Sequence, residues 1–285
     1  MKLKLAYSPC PNDTFAFHAM VHGMVDTEGL EFETVLADVE QLNTGAAAGK
    51  FEICKLSYHA FFQLCDSYVM LRSGSALGYH NGPLLVTTEN SQLNKLRGEE
   101  LAKALADAKV VIPGRMTTGA LLLKVAFPMI KNTTPVIFSE IEKLVLDGSF
   151  DAGVLIHEAR FTYKEKGLSL ITDLGEHWQK ISGLPVPLGG IAVTRRLDPD
   201  TARKVNRVLR RSIEFAMHNP SASQEYVTCN AQEMDPLVQK QHIELFVNDF
   251  SIDIGVEGER AAVALFRKLT QVSPEINFRD DLFIL

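Results

Sequence analysis

The chain has 285 residues, 46% of them hydrophobic and 22% charged, and its formal net charge is −6. This composition is typical of a globular protein, and the length exceeds the ~250 residues at which a single core usually stops growing, so we expect two domains. The acidic balance gives no basic footprint for nucleic acid or an anionic membrane, and no segment approaches the ~18 apolar residues of a membrane span.

Strand and helix patterns alternate over the first 190 residues, which favours parallel sheets with crossover helices. In the first block, strands are predicted over residues 3–7, 30–37, 51–57, 68–72 and 83–88, and helices over 15–25, 38–50 and 60–65. The stretch 74–82 carries three glycines and no periodicity, which is typical of a hinge or a ligand-binding loop.

A second block of alternating elements follows, and the chain then crosses back to the first. The predicted elements are helices over 93–108, 117–127 and 141–147, strands over 109–112, 135–138 and 151–156, a returning strand at 191–194, and helices over 201–218, 237–250 and 257–272. We therefore predict an α/β, two-lobed protein. Residues 1–88 and 189–285 form the larger domain, residues 89–188 form an inserted domain, and the ligand binds in the cleft between them.

The segment Ser8-Pro-Cys-Pro-Asn-Asp-Thr-Phe15 connects the first predicted strand to the first predicted helix. Its two prolines fix φ and remove N–H donors, so the turn is stiff. Asn12, Asp13 and Thr14 are residue types that cap helix starts and leave nearby amides able to face an anion. The sequence predicts that these residues and Ser8 form one wall of the cleft, and a capped turn without a ligand is the alternative.

Polar residues also follow other predicted strands, where ligands of open α/β sheets bind. Lys55-Leu56-Ser57 ends the strand at 51–57, and Ser57 is the more plausible contact because a lysine there could be solvated. Thr117 and Thr118 open a helix, where exposed amides and the helix dipole favour a carboxylate. A plain threonine cap is the alternative for this pair.

His157 is the strongest candidate for a catalytic residue. It directly follows the apolar strand ending at Ile156, and an imidazole with an ordinary pKa of about 6.5 suits proton transfer at neutral pH. Glu158 could orient it. Cys10 is a weak candidate for a nucleophile, because its flanking prolines are better suited to shaping the turn than to nucleophilic attack by the thiol. His242 is interpreted as a surface or packing position.

Other chemistries have little support in the sequence. The four cysteines lie far apart without zinc-like spacing, so free thiols and no metal site are expected (Cys10, Cys54, Cys65, Cys229). No P-loop, G-x-S-x-G or G-x-G-x-x-G motif is found, which disfavours an NTPase, a hydrolase and a dinucleotide enzyme. The amino terminus has no signal-peptide pattern, so we expect a cytoplasmic protein.

Four segments taken together resemble the 1,4-dihydroxy-6-naphthoate synthase family, which acts in the futalosine route to menaquinone. The segments span residues 8–15, 55–58, 113–118 and 156–163, and the similarity runs nearly from end to end. The resemblance implies a cofactor-free lyase with a periplasmic-binding-protein-like (type II) fold. It would split cyclic dehypoxanthinyl futalosine into 1,4-dihydroxy-6-naphthoate and dihydroxyacetone.

The resemblance also implies residue roles. His157 would be the proton acceptor, and Lys55, Leu56, Ser57, Thr117 and Thr118 would contact a small carboxylate substrate. Two alternatives stay open: a chorismate dehydratase-like enzyme of the same pathway, and a binding protein that only captures an organic anion. No nucleic acid or membrane partner is expected, and a homodimer is the candidate assembly.

Overall fold

The computed structural model describes residues 1–232 and 234–285. It contains two mixed β-sheets flanked by helices. The strands in chain order are β1 Lys2–Tyr7, β2 Glu31–Leu36, β3 Ile53–Ser57, β4 Tyr68–Met70, β5 Ala76–Gly78, β6 Leu84–Thr88, β7 Val110–Ile112, β8 Thr133–Pro135, β9 Ala152–Leu155, β10 Leu168–Asp173 and β11 Val186–Thr194. The two-lobed α/β organisation expected from the sequence is confirmed.

Helices cover both sheets and make up most of the carboxy-terminal third. In chain order they are α1 Pro11–Val21, α2 Val39–Ala47, α3 Tyr58–Leu64, α4 Gly98–Asp107, α5 Thr118–Ala126, α6 Ile141–Leu146, α7 Ala159–Thr162, α8 Leu174–Ser182, α9 Pro199–His218, α10 Gln224–Asn230, α11 Pro236–Phe246, α12 Asp249–Ile252 and α13 Gly255–Val272. Among the described residues, no helix combines the length and the apolar character needed to cross a membrane.

The first sheet has the strand order β2-β1-β3-β11-β4, with β5 also paired to β11, and the second has the order β10-β6-β9-β7-β8. Strands β1, β2 and β3 are parallel, as are β7, β8 and β9. The parallel pairing favoured by the sequence is therefore present in both sheets, but each sheet is mixed, because β11 is antiparallel to β3 and β6 is antiparallel to β9.

Strands β6 and β11 run in the opposite direction because each begins at the cleft. Gly189 of β11 pairs with Ser57, the last residue of β3, and Leu84 of β6 pairs with Leu155, the last residue of β9. The parallel strands β3 and β9 therefore end close to where β11 and β6, the crossing strands, begin. These four strand ends lie at the space between the two sheets. The domain boundaries at 88/89 and 188/189 stay a prediction. Strand β6, which that prediction assigns to the larger domain, lies in the second sheet.

The helices predicted over 38–50 and 201–218 are present as α2 and α9. Asp38 caps α2 with a capping box, and α9 buries an apolar face. The helix predicted over 93–108 is instead a short 3₁₀ turn over Gln92–Lys95 followed by α4, because Leu96 and Arg97 are extended between them and Gly98, the first residue of α4, has a left-handed φ of 52°. Strand β10 and helix α8 were not predicted.

Candidate active site

A cavity between the two sheets is lined by residues from both lobes. The empty space in this cavity, counted together with the solvent at its open mouth, is about 720 Å³. The predicted residues that line it are Ser8, Asn12, Asp13, Lys55, Leu56, Ser57, Thr117, Thr118 and His157. The lining residues that were not predicted include Asn81, Arg160, Leu188, His242 and Phe246.

Two predictions about the first turn differ from the structure. Cys10, not Asn12, Asp13 or Thr14, is the N-cap of α1, because Pro11 has the fixed φ that suits the first helical position. Thr14 is fully buried behind the cavity wall, and its hydroxyl donates to the carbonyl oxygen of Cys10 at 3.1 Å. The residues of this turn therefore contribute side chains to the cavity rather than a capped anion site.

A buried ion pair between Lys55 and Asp13 joins β3 to α1. Lys55 Nζ lies 2.7 Å from Asp13 Oδ1, and the two side chains are only 9% and 5% exposed. The hydroxyl of Ser8 donates to Asp13 Oδ2 at 2.7 Å, and Asn12 Nδ2 donates to Asp13 Oδ1 at 2.9 Å. The lysine head group is therefore neither solvated nor free, and it reaches the cavity as half of a neutral pair.

The start of helix α5 forms the opposite wall. Thr117 is the N-cap, and its hydroxyl oxygen accepts a hydrogen bond from the Ala120 amide at 3.3 Å. Thr118 donates its hydroxyl proton to Leu188 O at 2.7 Å, which ties the helix to β11. The first amides of a helix have no intrahelical acceptor, so those of Thr118 and Gly119 are suited to an anionic group in the cavity.

A half-buried histidine, His59, is hydrogen-bonded to the start of this helix. His59 Nδ1 donates to the Thr117 carbonyl oxygen across 3.1 Å, which assigns the proton to that nitrogen. Burial lowers the pKa of His59 to about 4, so the ring is neutral at physiological pH. His59 is therefore a structural residue of the cavity wall.

His157 follows β9 in a left-handed backbone conformation, with φ at 57°. This conformation is uncommon for a residue with a side chain, and strained residues of this kind cluster at functional sites. The ring lies 4.8 Å from that of Phe138, and Nδ1 lies 3.5 Å from the Cys10 sulfur. Nε2 is buried and has no hydrogen-bond partner among the described residues, so it is available to a bound molecule.

Cys10 is close to His157 but is not activated as a nucleophile. Burial raises the pKa of its thiol well above the ordinary value. The reactive form of cysteine is the thiolate, so Cys10 rests as an unreactive thiol. This geometry agrees with the interpretation of Cys10 as a weak candidate for a nucleophile.

His242 is the main cavity residue that sequence reasoning did not single out. It lies on α11 and is 1% exposed, which agrees with the packing position that was one of the two expectations, but it also lines the cavity. Its Nε2 lies 2.9 Å from Asn12 Oδ1, and its ring stacks on that of His157 with centroids 6.2 Å apart. No spacing signal could reveal this, because 85 residues separate the two histidines in the sequence.

Arg160 connects the cavity to the segment that crosses between the sheets. Its guanidinium donates to the carbonyl oxygens of Gly82 and His80, the second at 2.9 Å, and it lies 3.4 Å from Asp173. Most of the hydrogen bonds that Arg160 donates therefore go to backbone carbonyl oxygens of residues 80–82. It fixes the crossing segment against the second lobe rather than presenting a free cation.

Cys10, His157 and Glu158 each place one potential metal-ligand atom within 4.8 Å of the others. This cluster could not be predicted from the sequence, because Cys10 lies 147 residues before His157. Thiol, imidazole and carboxylate are ligands that Zn²⁺ accepts, so a bound cation is a clear alternative to a metal-free site.

Comparison with known proteins gives consistent results. The model of a family described as "Menaquinone biosynthesis" matches residues 3–271. A protein of Thermus thermophilus named 1,4-dihydroxy-6-naphtoate synthase is 42% identical over 264 residues, covering 93% of this chain and 92% of the relative. A Streptomyces coelicolor protein with the same name is 38% identical over 274 residues, with the same coverage of the two chains.

Solved structures extend the comparison to the fold. A protein from Archaeoglobus fulgidus superimposes with a TM-score of 0.87 at 33% identity, covering 96% of this chain and 98% of the other. An alkanesulfonate-binding protein from Xanthomonas axonopodis superimposes with a TM-score of 0.70 at 11% identity, covering 99% and 96%. A Candida albicans protein described as having the generic periplasmic binding protein fold superimposes with a TM-score of 0.70 at 14% identity, covering 99% and 93%. These two likenesses show that the fold is that of periplasmic binding proteins.

Proposed function

Because the chain belongs to the menaquinone biosynthesis family, we propose that it is a 1,4-dihydroxy-6-naphthoate synthase. The observation that carries the proposal is the 42% identity, over 93% of the chain, to a relative of that name. The substrate would be cyclic dehypoxanthinyl futalosine, and the products 1,4-dihydroxy-6-naphthoate and dihydroxyacetone. We further propose a cytoplasmic enzyme. The homodimer and the absence of a nucleic acid partner stay predictions.

Residues on each wall of the cavity can be assigned a role in this reaction. The carboxylate of the substrate would bind at the start of α5, near Thr117 and Thr118, where the amides and the helix dipole favour an anion. His157 would remove a proton through Nε2, which no other described group engages. Lys55 and Ser57 would hold the opposite side of the substrate.

Aromatisation of the naphthoate ring supplies the driving force of this reaction. The substrate divides into two products without a co-reactant, so each proton that His157 removes must return to a product. Closure of the two lobes would exclude water while the intermediate breaks down.

Incubating the protein with cyclic dehypoxanthinyl futalosine tests the proposal. We expect 1,4-dihydroxy-6-naphthoate to form, detected by chromatography and mass spectrometry. Dehydration of chorismate in a parallel incubation would instead identify a chorismate dehydratase-like enzyme. Tight binding of an organic anion without any turnover would identify a binding protein, and either result would contradict the proposed activity.

Replacement of Cys10 by alanine should leave a folded protein with substantial activity. The thiol is protonated, and its contribution is to fill space beside His157 Nδ1, so we expect kcat to fall by no more than about tenfold. The measurement is steady-state turnover together with a thermal unfolding curve. Complete loss of turnover in a folded, substrate-binding variant would show that the thiol takes part in the chemistry.

A further inference from the structure

Two buried polar atoms beside His157 face each other without a hydrogen-bond partner. Glu158 Oε2 and His242 Nδ1 lie 3.6 Å apart, and neither makes a hydrogen bond to any described residue. Glu158 is 8% exposed and His242 is 1% exposed. Buried polar groups are nearly always paired, so this gap needs an explanation.

The proton positions on His242 follow from its other contact. Asn12 donates its amide Nδ2 to Asp13, so its Oδ1 faces His242 and can only accept. His242 Nε2 must therefore carry a proton. Burial lowers the pKa of His242 well below its ordinary value. A neutral ring protonated on Nε2 leaves a bare lone pair on Nδ1, directed towards Glu158.

We propose that Glu158 and His242 share one proton, carried on Glu158 Oε2 and donated to His242 Nδ1, and that this neutral pair positions His157 as an unprotonated base. A carboxylate oxygen and an imidazole lone pair would repel each other at 3.6 Å. One proton between them satisfies both atoms at once.

The proton shared by Glu158 and His242 affects both the charge around His157 and the position of its ring. Glu158 is its sequence neighbour and has an oxygen within 4.8 Å of a ring nitrogen of His157. An ionised carboxylate at that distance would favour the protonated imidazolium, which cannot act as a base. The proton on Glu158 removes this charge, while the His242 ring stacks on His157 at an angle of 17°. The effect on catalysis rests on the proposed function, but the shared proton does not.

The titratable groups that face the pair are Cys10 and Asp13 on the α1 side, Lys55 from β3, and His157. Asp13 and Lys55 neutralise each other, and Cys10 is a thiol. The buried cluster then carries no net charge with one proton on the Glu158–His242 pair. This balance is what burial in a low-dielectric site requires.

Glutamine is the closest mimic of a protonated glutamate, so Glu158→Gln is the central variant. Its amide can donate to His242 Nδ1, and we expect kcat/KM at neutral pH within about threefold of the unmodified protein. Glu158→Ala, which cannot donate, should lose at least tenfold. The alkaline fall in kcat/KM caused by loss of the shared proton should be absent in Glu158→Gln.

Nitrogen-15 NMR of the histidine-labelled protein tests the pair without any substrate. We expect His242, assigned by comparison with His242→Gln, to be a neutral ring with its proton on Nε2 near pH 7. An imidazolium, a proton on Nδ1, or a loss of activity in Glu158→Gln equal to that in Glu158→Ala would overturn the proposal. Stoichiometric zinc in the purified protein, measured by elemental analysis, would overturn it too, because a cation would then fill the gap.

Discussion

Replacing His157 with asparagine is expected to lower kcat by about 10²- to 10⁴-fold, which is the contribution typical of a general base. Asparagine is chosen because it tolerates a left-handed backbone, and φ at this position is 57°. The amide group lacks a basic nitrogen at the position of Nε2, so the proton cannot be removed. Substrate binding depends on the other walls of the cavity and should change much less, which single-turnover kinetics and calorimetric titration would measure separately.

His80→Asn is a matched control for this variant. His80 also has a left-handed backbone, with φ at 58°, but its side chain is exposed and does not line the cavity. We expect kcat to stay near that of the unmodified protein. If His157→Asn kept near-normal kcat while remaining folded, another group would be the base. If both variants lost activity equally, backbone strain rather than proton transfer would explain the effect.

The sequence was informative about the site wherever a functional residue ends a strand or starts a helix. Ser57, Thr117 and His157 each occupy such a position, and the structure brings all three to one cavity. The reason is topological, because the ends of parallel strands lie at the same edge of a sheet. A reader of the sequence can therefore locate these residues without knowing any long-range contact.

The parts that could not be predicted depend on packing between distant segments. His242 lies in the middle of a helix, and its contact with Asn12 spans 230 residues. Lys55 looked like a solvated strand end, and only the fold shows that Asp13 neutralises it. Strand direction was also misjudged, because the crossing strands β6 and β11 begin at the cleft rather than ending there.

The Lys55–Asp13 pair gives the largest expected effect on stability. Replacing Asp13 with alanine leaves the Lys55 ammonium, 9% exposed, without its carboxylate partner. Removal of one member of a buried ion pair typically costs about 3–5 kcal/mol, because the remaining charge stays desolvated. We expect the free energy of unfolding to fall by that amount in urea titrations, with a clearly lowered Tm.

The double variant Asp13→Ala/Lys55→Met distinguishes the lost partner from lost packing. Methionine fills similar volume without a charge, so the double variant should regain a large part of the stability that Asp13→Ala loses. Glu244→Ala is the control, because the Lys240–Glu244 pair has side chains 71% and 63% exposed and should contribute less than about 1 kcal/mol. A double variant no more stable than Asp13→Ala would show that the carboxylate acts mainly through Ser8 and Asn12. In that case the acidic side chain organises the turn that begins α1, and the charge of Lys55 is a secondary term.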